Sequence, residues 1–178
     1  MRRFVVLGLM ACNGDATEPF DTSPASTPTE LPSEPQEDEA VAGITAAHNV
    51  VRDGVGIGEL TWDPVLAEFA AAHVAFLDEE RNCDLFHSVN PPYGENLFWS
   101  SFPSDAETVV QSWADEVQDY DYPSNSCNPG RACGHYTQIV WANTQRVGCA
   151  KITCGGGRGQ IWSCNYDPPG NWVGEHPY

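Results

Sequence analysis

The residues with the most chemical potential are two histidines and two acids: His87, Glu95, Glu116 and His135. Two neutral imidazoles and two carboxylates, if they converge, make a site for a divalent cation, with the acids as ligands or as the groups that orient the rings. Water on such a cation beside Glu95 or Glu116 would be competent for hydrolysis, so these two acids are the catalytic candidates. Spacing alone does not bring the four together, and on spacing alone they read as four separate surface residues. His73 reads differently, because it sits on the apolar stripe of a helix, where a satisfied core histidine is the ordinary case.

The elements that must position these residues show in the hydrophobic pattern. Val41, Ile44, Ala47 and Val51 recur at helical spacing and Asp53-Gly54 supplies a stop, which predicts a helix over 39–52. Asp63-Pro64 is an N-cap followed by proline at the first helical position, opening a helix to about residue 80 with Leu66, Phe69, Ala70, His73, Phe76 and Leu77 on its apolar face. Ser104 and Glu107 form a capping box ahead of Val109, Val110, Trp113 and Val117. Leu97-Phe98-Trp99 is strand-like, and His135 to Trp141 fits either a short helix or a strand. Val147–Cys154 and Gln160–Tyr166 read as a β-hairpin around a glycine-rich turn. Helices with a small antiparallel sheet define an α+β domain.

Charge and cysteine usage bound the setting. The 178 residues hold 25 Asp and Glu against 8 Lys and Arg, a formal net charge of −17. Such a surface repels phosphate backbones and excludes a nucleic-acid partner; anionic membrane surfaces are disfavoured too. Residues 1–12 order a basic start, an apolar run and Leu9-Met10-Ala11-Cys12, the pattern of an export signal ending in a lipobox, so Cys12 is expected to carry lipid and tether the chain to a membrane. Residues 13–40 are acidic and rich in Pro, Ser and Thr, the composition of a disordered linker, and the run Glu37-Asp38-Glu39 reads as solvated charge. The folded domain is expected over 41–178, outside the cytoplasm, and as a monomer.

Seven cysteines leave one odd, and Cys12 takes that place. If Cys154 opposes Gln160, Ala150 opposes Cys164, and a small bulge would bring Cys149 within reach of Cys164. Cys127 and Cys133 flank Asn128-Pro129-Gly130, a turn sequence. Cys83 and Cys154 remain. Such bonds persist in an oxidising compartment. A cysteine metal site is the poorer reading, since no Cys-x-x-Cys is present.

Gly134-His135-Tyr136-Thr137-Gln138-Ile139-Val140-Trp141 and Ser163-Cys164-Asn165-Tyr166-Asp167-Pro168-Pro169-Gly170-Asn171 resemble the two signatures of the CAP superfamily (cysteine-rich secretory proteins, antigen 5 and plant pathogenesis-related class 1 proteins). His48-Asn49-x-x-Arg52, Leu60-Thr61-Trp62-Asp63, Cys83-Asp84-Leu85-x-His87-Ser88, Gly94-Glu95-Asn96-Leu97 and the terminal Gly170-Asn171-Trp172 to Pro177-Tyr178 match in the family's order, nearest to the plant class 1 pattern. The resemblance implies an α-β-α sandwich and the pairings Cys83–Cys154, Cys127–Cys133 and Cys149–Cys164. It also implies a cavity lined by His87, Glu95, Glu116 and His135 that holds Zn2+ or another divalent cation. The two histidines would be direct ligands, and the two acids would fix the rings or position a water. By the same resemblance His48 serves helix packing with Asn49, while Tyr136, Gln138 and Trp141 support cavity and core.

With every domain cysteine in a disulfide, no thiol nucleophile remains, and no serine has an assigned base. The leading expectation is a secreted or lipid-anchored binding module with a metal cavity and a small hydrophobic or sterol-like ligand beside it. A metal-dependent extracellular hydrolase is the alternative. Release of the segment Pro168 to Tyr178 as a signalling peptide, which the resemblance also suggests, is weaker than its packing as an ordinary C-terminal segment.

Overall fold

The structure, a computed structural model, describes residues 35–178. The export signal, Cys12 and the linker up to residue 34 lie outside the described residues. The described residues form six strands and four α-helices. They are helix α1 (Ile44–Asp53), strand β1 (Thr61–Trp62), α2 (Pro64–Glu80), β2 (Gly94–Ser100), α3 (Ala106–Ala114), β3 (Tyr120–Asp121), β4 (Ser126–Cys127), α4 (Gly134–Ile139), β5 (Arg146–Thr153) and β6 (Gln160–Asp167). The main sheet runs β1-β5-β6-β2, parallel only between β1 and β5, and β3 pairs with β4 in a small ribbon.

Alternation along β5 and β6 builds the layers. Val147 and Cys149 of β5 with Trp162, Cys164 and Tyr166 of β6 face one way, into a core completed by Ile44 of α1, Val109 and Trp113 of α3 and Ile139 of α4. Ile161 faces the other way, against Val74 and Leu77 of α2 and the Cys83–Cys154 bridge. The result is the expected α-β-α sandwich, and β6 is buried on both faces because helices cover both. On the α2 side the sheet comes so close that a Cβ on Gly148 would lie 2.3 Å from the Ala67 amide nitrogen and 2.4 Å from the Asp63 carbonyl oxygen. Backbone cannot yield as a side-chain tip can, so Gly148→Ala is expected to cost about 3 kcal/mol of stability, measured by urea unfolding.

The three expected disulfides are present: Cys83–Cys154, Cys127–Cys133 and Cys149–Cys164. The hairpin register differs from expectation by one residue. Thr153, not Cys154, opposes Gln160, so Cys149 and Cys164 face each other directly and no bulge is needed. Cys154 instead begins the turn, where it reaches Cys83. The capping box at Ser104 is also displaced. Asp105 is the N-cap, its carboxylate accepting from the Thr108 amide at 2.9 Å, while Ser104 turns back to the Phe102 carbonyl. On α2 the buried face takes Val74, and Phe76 is 40% exposed beneath the Arg81 guanidinium.

The first helix starts later than its periodicity suggests. A 3-10 turn (Glu39–Val41) precedes Gly43, whose φ of 87° breaks the run before α1 begins at Ile44. Glu37 is not merely solvated charge, since its carboxylate accepts from the amides of Gly43 at 2.6 Å and Thr45 at 2.8 Å. Those amides have no helical partner of their own, and an acid at a helix start also suits the helix dipole. Asp38 caps the preceding turn in the same way.

His48, fully buried on α1, donates from Nδ1 to the Ile44 carbonyl at 2.7 Å and accepts at Nε2 from the Tyr166 hydroxyl at 2.8 Å. Burial lowers its pKa to about 4 from the usual 6.5, against a smaller upward pull from the Ile44 bond. The folded state resists a proton that the unfolded chain accepts, so stability is full above pH 6.5 and falls as pH drops toward 4. The loss is about 3 kcal/mol across that window. Urea unfolding between pH 7 and 4 should show this component in wild type and not in His48→Gln.

Candidate functional site

Consecutive residues of a strand point to opposite faces of the sheet, and this arranges the candidate residues. Glu95 and Asn96 lie side by side on β2, which pairs only with β6 and therefore forms the edge of the main sheet. Glu95 points to the α2 side, where His87 meets it. His87 Nδ1–H donates to Glu95 Oε1 at 2.7 Å. The Ser88 amide donates to the same oxygen at 2.9 Å, and the Ser88 hydroxyl to Oε2 at 2.5 Å. Asn96 points the other way and its amide donates to the His135 carbonyl at 3.1 Å.

The second pair repeats the first. His135, in the first turn of α4, donates from Nδ1 to Glu116 Oε1 at 2.7 Å. Glu116 lies in the 3-10 turn (Asp115–Asp119) that follows α3, and its Oε2 accepts from the backbone amides of His135 at 2.9 Å and Tyr136 at 3.3 Å. Trp113 of α3 stacks on the His135 ring, with centroids 6.1 Å apart, and donates its indole N–H to the Leu97 carbonyl on β2 at 3.1 Å. One indole thus ties the second imidazole to the strand that carries Glu95.

Electrostatics follow from these bonds. Burial pushes the Glu95 carboxyl up, but the hydrogen bonds from His87 and Ser88 outweigh it and hold the group below its usual range. Glu116 is held down likewise: burial opposes, and the His135 hydrogen bond and the amides of the α4 start prevail. The Glu95 bond raises the pKa of His87 against partial burial. The first pair therefore stabilises the fold most between the two ordinary values, about 4.5 and 6.5. It weakens as acid protonates Glu95 and as base deprotonates His87.

The four residues form two pairs and not one compact cluster. Among the described residues the one group of three with ligand atoms within 4.8 Å of one another is Asp78, Cys83 and Cys154. Its two sulfurs are bonded to each other, so no thiolate remains there. The donor set of the two pairs nevertheless fits a borderline metal such as zinc. Each carboxylate accepts a hydrogen bond from Nδ1–H, which fixes the tautomer and leaves Nε2 with a free lone pair. His87 has a 62% exposed side chain and His135 a 31% exposed one, whereas Glu95 is 3% and Glu116 18% exposed, so the rings are open to solvent and the acids stand behind them.

One contact was not legible in the pattern, whereas Gln138 supports the core as the resemblance implied. His73 is indeed buried and hydrogen-bonded, its Nε2–H donating to the Phe86 carbonyl at 2.9 Å, yet it also stands 3.7 Å from Glu95. Its only sequence signal was a polar residue on an apolar stripe. Gln138 packs its amide against Gly94, where a Cβ would approach Oε1 to 2.2 Å, and accepts from the Gly170 amide at 3.1 Å.

A disulfide-bonded three-layer domain carrying carboxylate-oriented imidazoles at a sheet edge is of the class built for oxidising surroundings. The chain belongs to the CAP family: the profile described as the cysteine-rich secretory protein family matches residues 45–166. Pathogenesis-related protein 1B of Nicotiana tabacum is 49% identical over 133 residues, which cover 74% of this chain and 77% of that protein. The pathogenesis-related protein PR-1 type of Sambucus nigra is 45% identical over 133 residues, 74% of this chain and 78% of that one. Among solved structures, venom allergen-like protein 4 of Schistosoma mansoni has a TM-score of 0.63 at 26% identity over 79% of this chain and 94% of that one. NaASP2 with Zn2+ has a TM-score of 0.64 at 22% identity, covering 80% and 86%, a likeness of fold.

Proposed function

We propose that this chain is an extracellular binding module in which His87 and His135 hold a divalent cation, zinc in the first place, through Nε2. The observation that carries the reading is the duplicated arrangement of Nδ1 on a carboxylate at 2.7 Å in both pairs. A protein of the same fold has been solved with Zn2+, which accords with it. The two pairs stand on opposite faces of β2, so His87 and His135 would hold the cation from either side of that strand, with Glu95 and Glu116 orienting their rings. When bound, the cation would supply a Lewis-acidic point for an oxygen or nitrogen of a ligand.

The acids favour binding over hydrolysis. Glu95 spends both oxygens on His87 and Ser88, and Glu116 spends both on the ring and backbone amides at the start of α4. Each is an orienting group with little capacity left to take a proton from water. A cleft of about 500 Å3 between α1 and α3, lined by Ala47, Val50, Val51 and Val110 with Glu107 and Gln111 among its polar residues, supports the reading that a small hydrophobic or sterol-like ligand would bind apart from the cation. The disulfides agree with an extracellular or cell-surface location. Among the described residues no helix is long and apolar enough to cross a membrane. Attachment through a lipid on Cys12 is part of the proposal, tested by the mass of the mature N-terminal peptide.

The deciding experiment is metal analysis of the purified protein, before and after chelation and zinc readdition, beside His87→Ala/His135→Ala. Wild type should recover zinc and the double variant should not; equal zinc contents overturn the assignment. Sterol binding that survives the double substitution places that ligand away from the cation.

A further inference from the structure

His87 stands in the stretch between α2 and β2, which has no helix or strand of its own to hold it. Its backbone is clamped from both sides. Behind it, the Phe86 carbonyl accepts from His73 Nε2–H at 2.9 Å; ahead of it, the Ser88 amide donates to Glu95 at 2.9 Å. His73 belongs to α2, a 17-residue helix packed on the sheet, and is only 9% exposed. Its ring stacks on Phe76, with centroids 6.2 Å apart and planes 20° from parallel. The same Nε2 lies 3.7 Å from Glu95 Oε2, the oxygen that also takes the Ser88 hydroxyl. One buried imidazole therefore donates to the carbonyl that precedes His87 and stands 3.7 Å from the carboxylate that orients its ring.

We propose that His73 is a positioning residue for the His87–Glu95 half of the site, holding the Phe86 carbonyl, and with it the backbone that enters His87, against the Glu95 carboxylate so that His87 Nε2 faces outward. This rests on the reading of His87 as a metal ligand. The required group is an N–H at the Nε2 position. Glutamine can supply one, because its amide nitrogen lies the same number of bonds from Cβ as histidine Nε2. Phenylalanine keeps the stacking on Phe76 and supplies none.

The test compares zinc affinity, by competition with a chromogenic chelator, in wild type, His73→Gln and His73→Phe, with thermal unfolding of each. His73→Phe should weaken zinc binding by roughly 10- to 100-fold, the range typical of lost outer-shell partners, and His73→Gln should restore most of it. Zinc affinity in His73→Phe equal to wild type, or equally weak in both variants, overturns the proposal. The 15N ring shifts of His87 in metal-free protein provide a second reading. Wild type and His73→Gln should show the Nδ1–H tautomer and His73→Phe a mixture; one unchanged tautomer in all three overturns the proposal. If wild type binds no zinc at all, the metal reading falls while these shifts still judge His73 by themselves.

Discussion

Arg52→Leu should lower the unfolding free energy by at least about 4 kcal/mol, since several buried carbonyls lose their donor at once. Arg52 is 1% exposed on α1 and has no carboxylate partner among the described residues. Its Nε donates to the Gly58 carbonyl at 2.7 Å, Nη1 to Ile139 at 2.7 Å and Trp141 at 2.9 Å, and Nη2 to Thr144 at 3.1 Å. Burial lowers its pKa to about 10, partly countered by Tyr166, which leaves the group charged at neutral pH. Four carbonyl dipoles thus do the work of a counter-ion. Two of them lie where α4 ends and its carbonyls run out of intrahelical donors. Leucine fills the volume and satisfies none of them. Lysine keeps the charge but cannot spread it over four acceptors in a planar fork, so Arg52→Lys should recover only a minor part. Urea unfolding at pH 7 measures both. Because α4 carries His135, the loss should also reach the second His–Glu pair.

Cys83→Ala/Cys154→Ala should cost about 4 kcal/mol, in the chain-entropy account of a bridge spanning 71 residues. Removing Cys127–Cys133, whose separation is 6, should cost about 2 kcal/mol on the same account. The long bridge does more than restrict the unfolded chain. It joins the end of α2 to the hairpin turn, with Arg158 ion-paired to Asp78 beside it, and borders the stretch from which His87 projects. Denaturant midpoints of the two variants, with and without reductant, give the ranking. A larger loss from the short bridge would contradict it.

The domain's composition, helix faces and strand pattern were legible because burial imposes period 3.6 on α2 and period 2 on the hairpin. Boundaries were less so. Asp63-Pro64 was read correctly because cap and proline each act locally, and Asp63 does accept from the Val65 and Leu66 amides. Ser104 was misread because Asp105, one residue on, competes for the same role and wins. The hairpin slipped by one residue in the reading because a glycine-rich turn does not dictate its own length. Of the site, the motifs of the resemblance pointed to His87, Glu95, Glu116 and His135. Their division into two pairs across an edge strand was not visible, nor was the reach of His73 to Glu95.

By itself the sequence determined the main helices, the hairpin and an oxidising setting, since local periodicity and cysteine number are properties of the chain as written, and the resemblance of its motifs supplied the four residues to test. Tertiary structure alone decided which nitrogen of each histidine is engaged, that Arg52 is held by carbonyls, and that Glu37 caps α1. It also decided that His73 stands behind His87. These depend on contacts that the local pattern does not encode, such as those of Thr45 with Glu37, 8 positions apart, and of Arg52 with Thr144, 92 apart, and packing sets their distances.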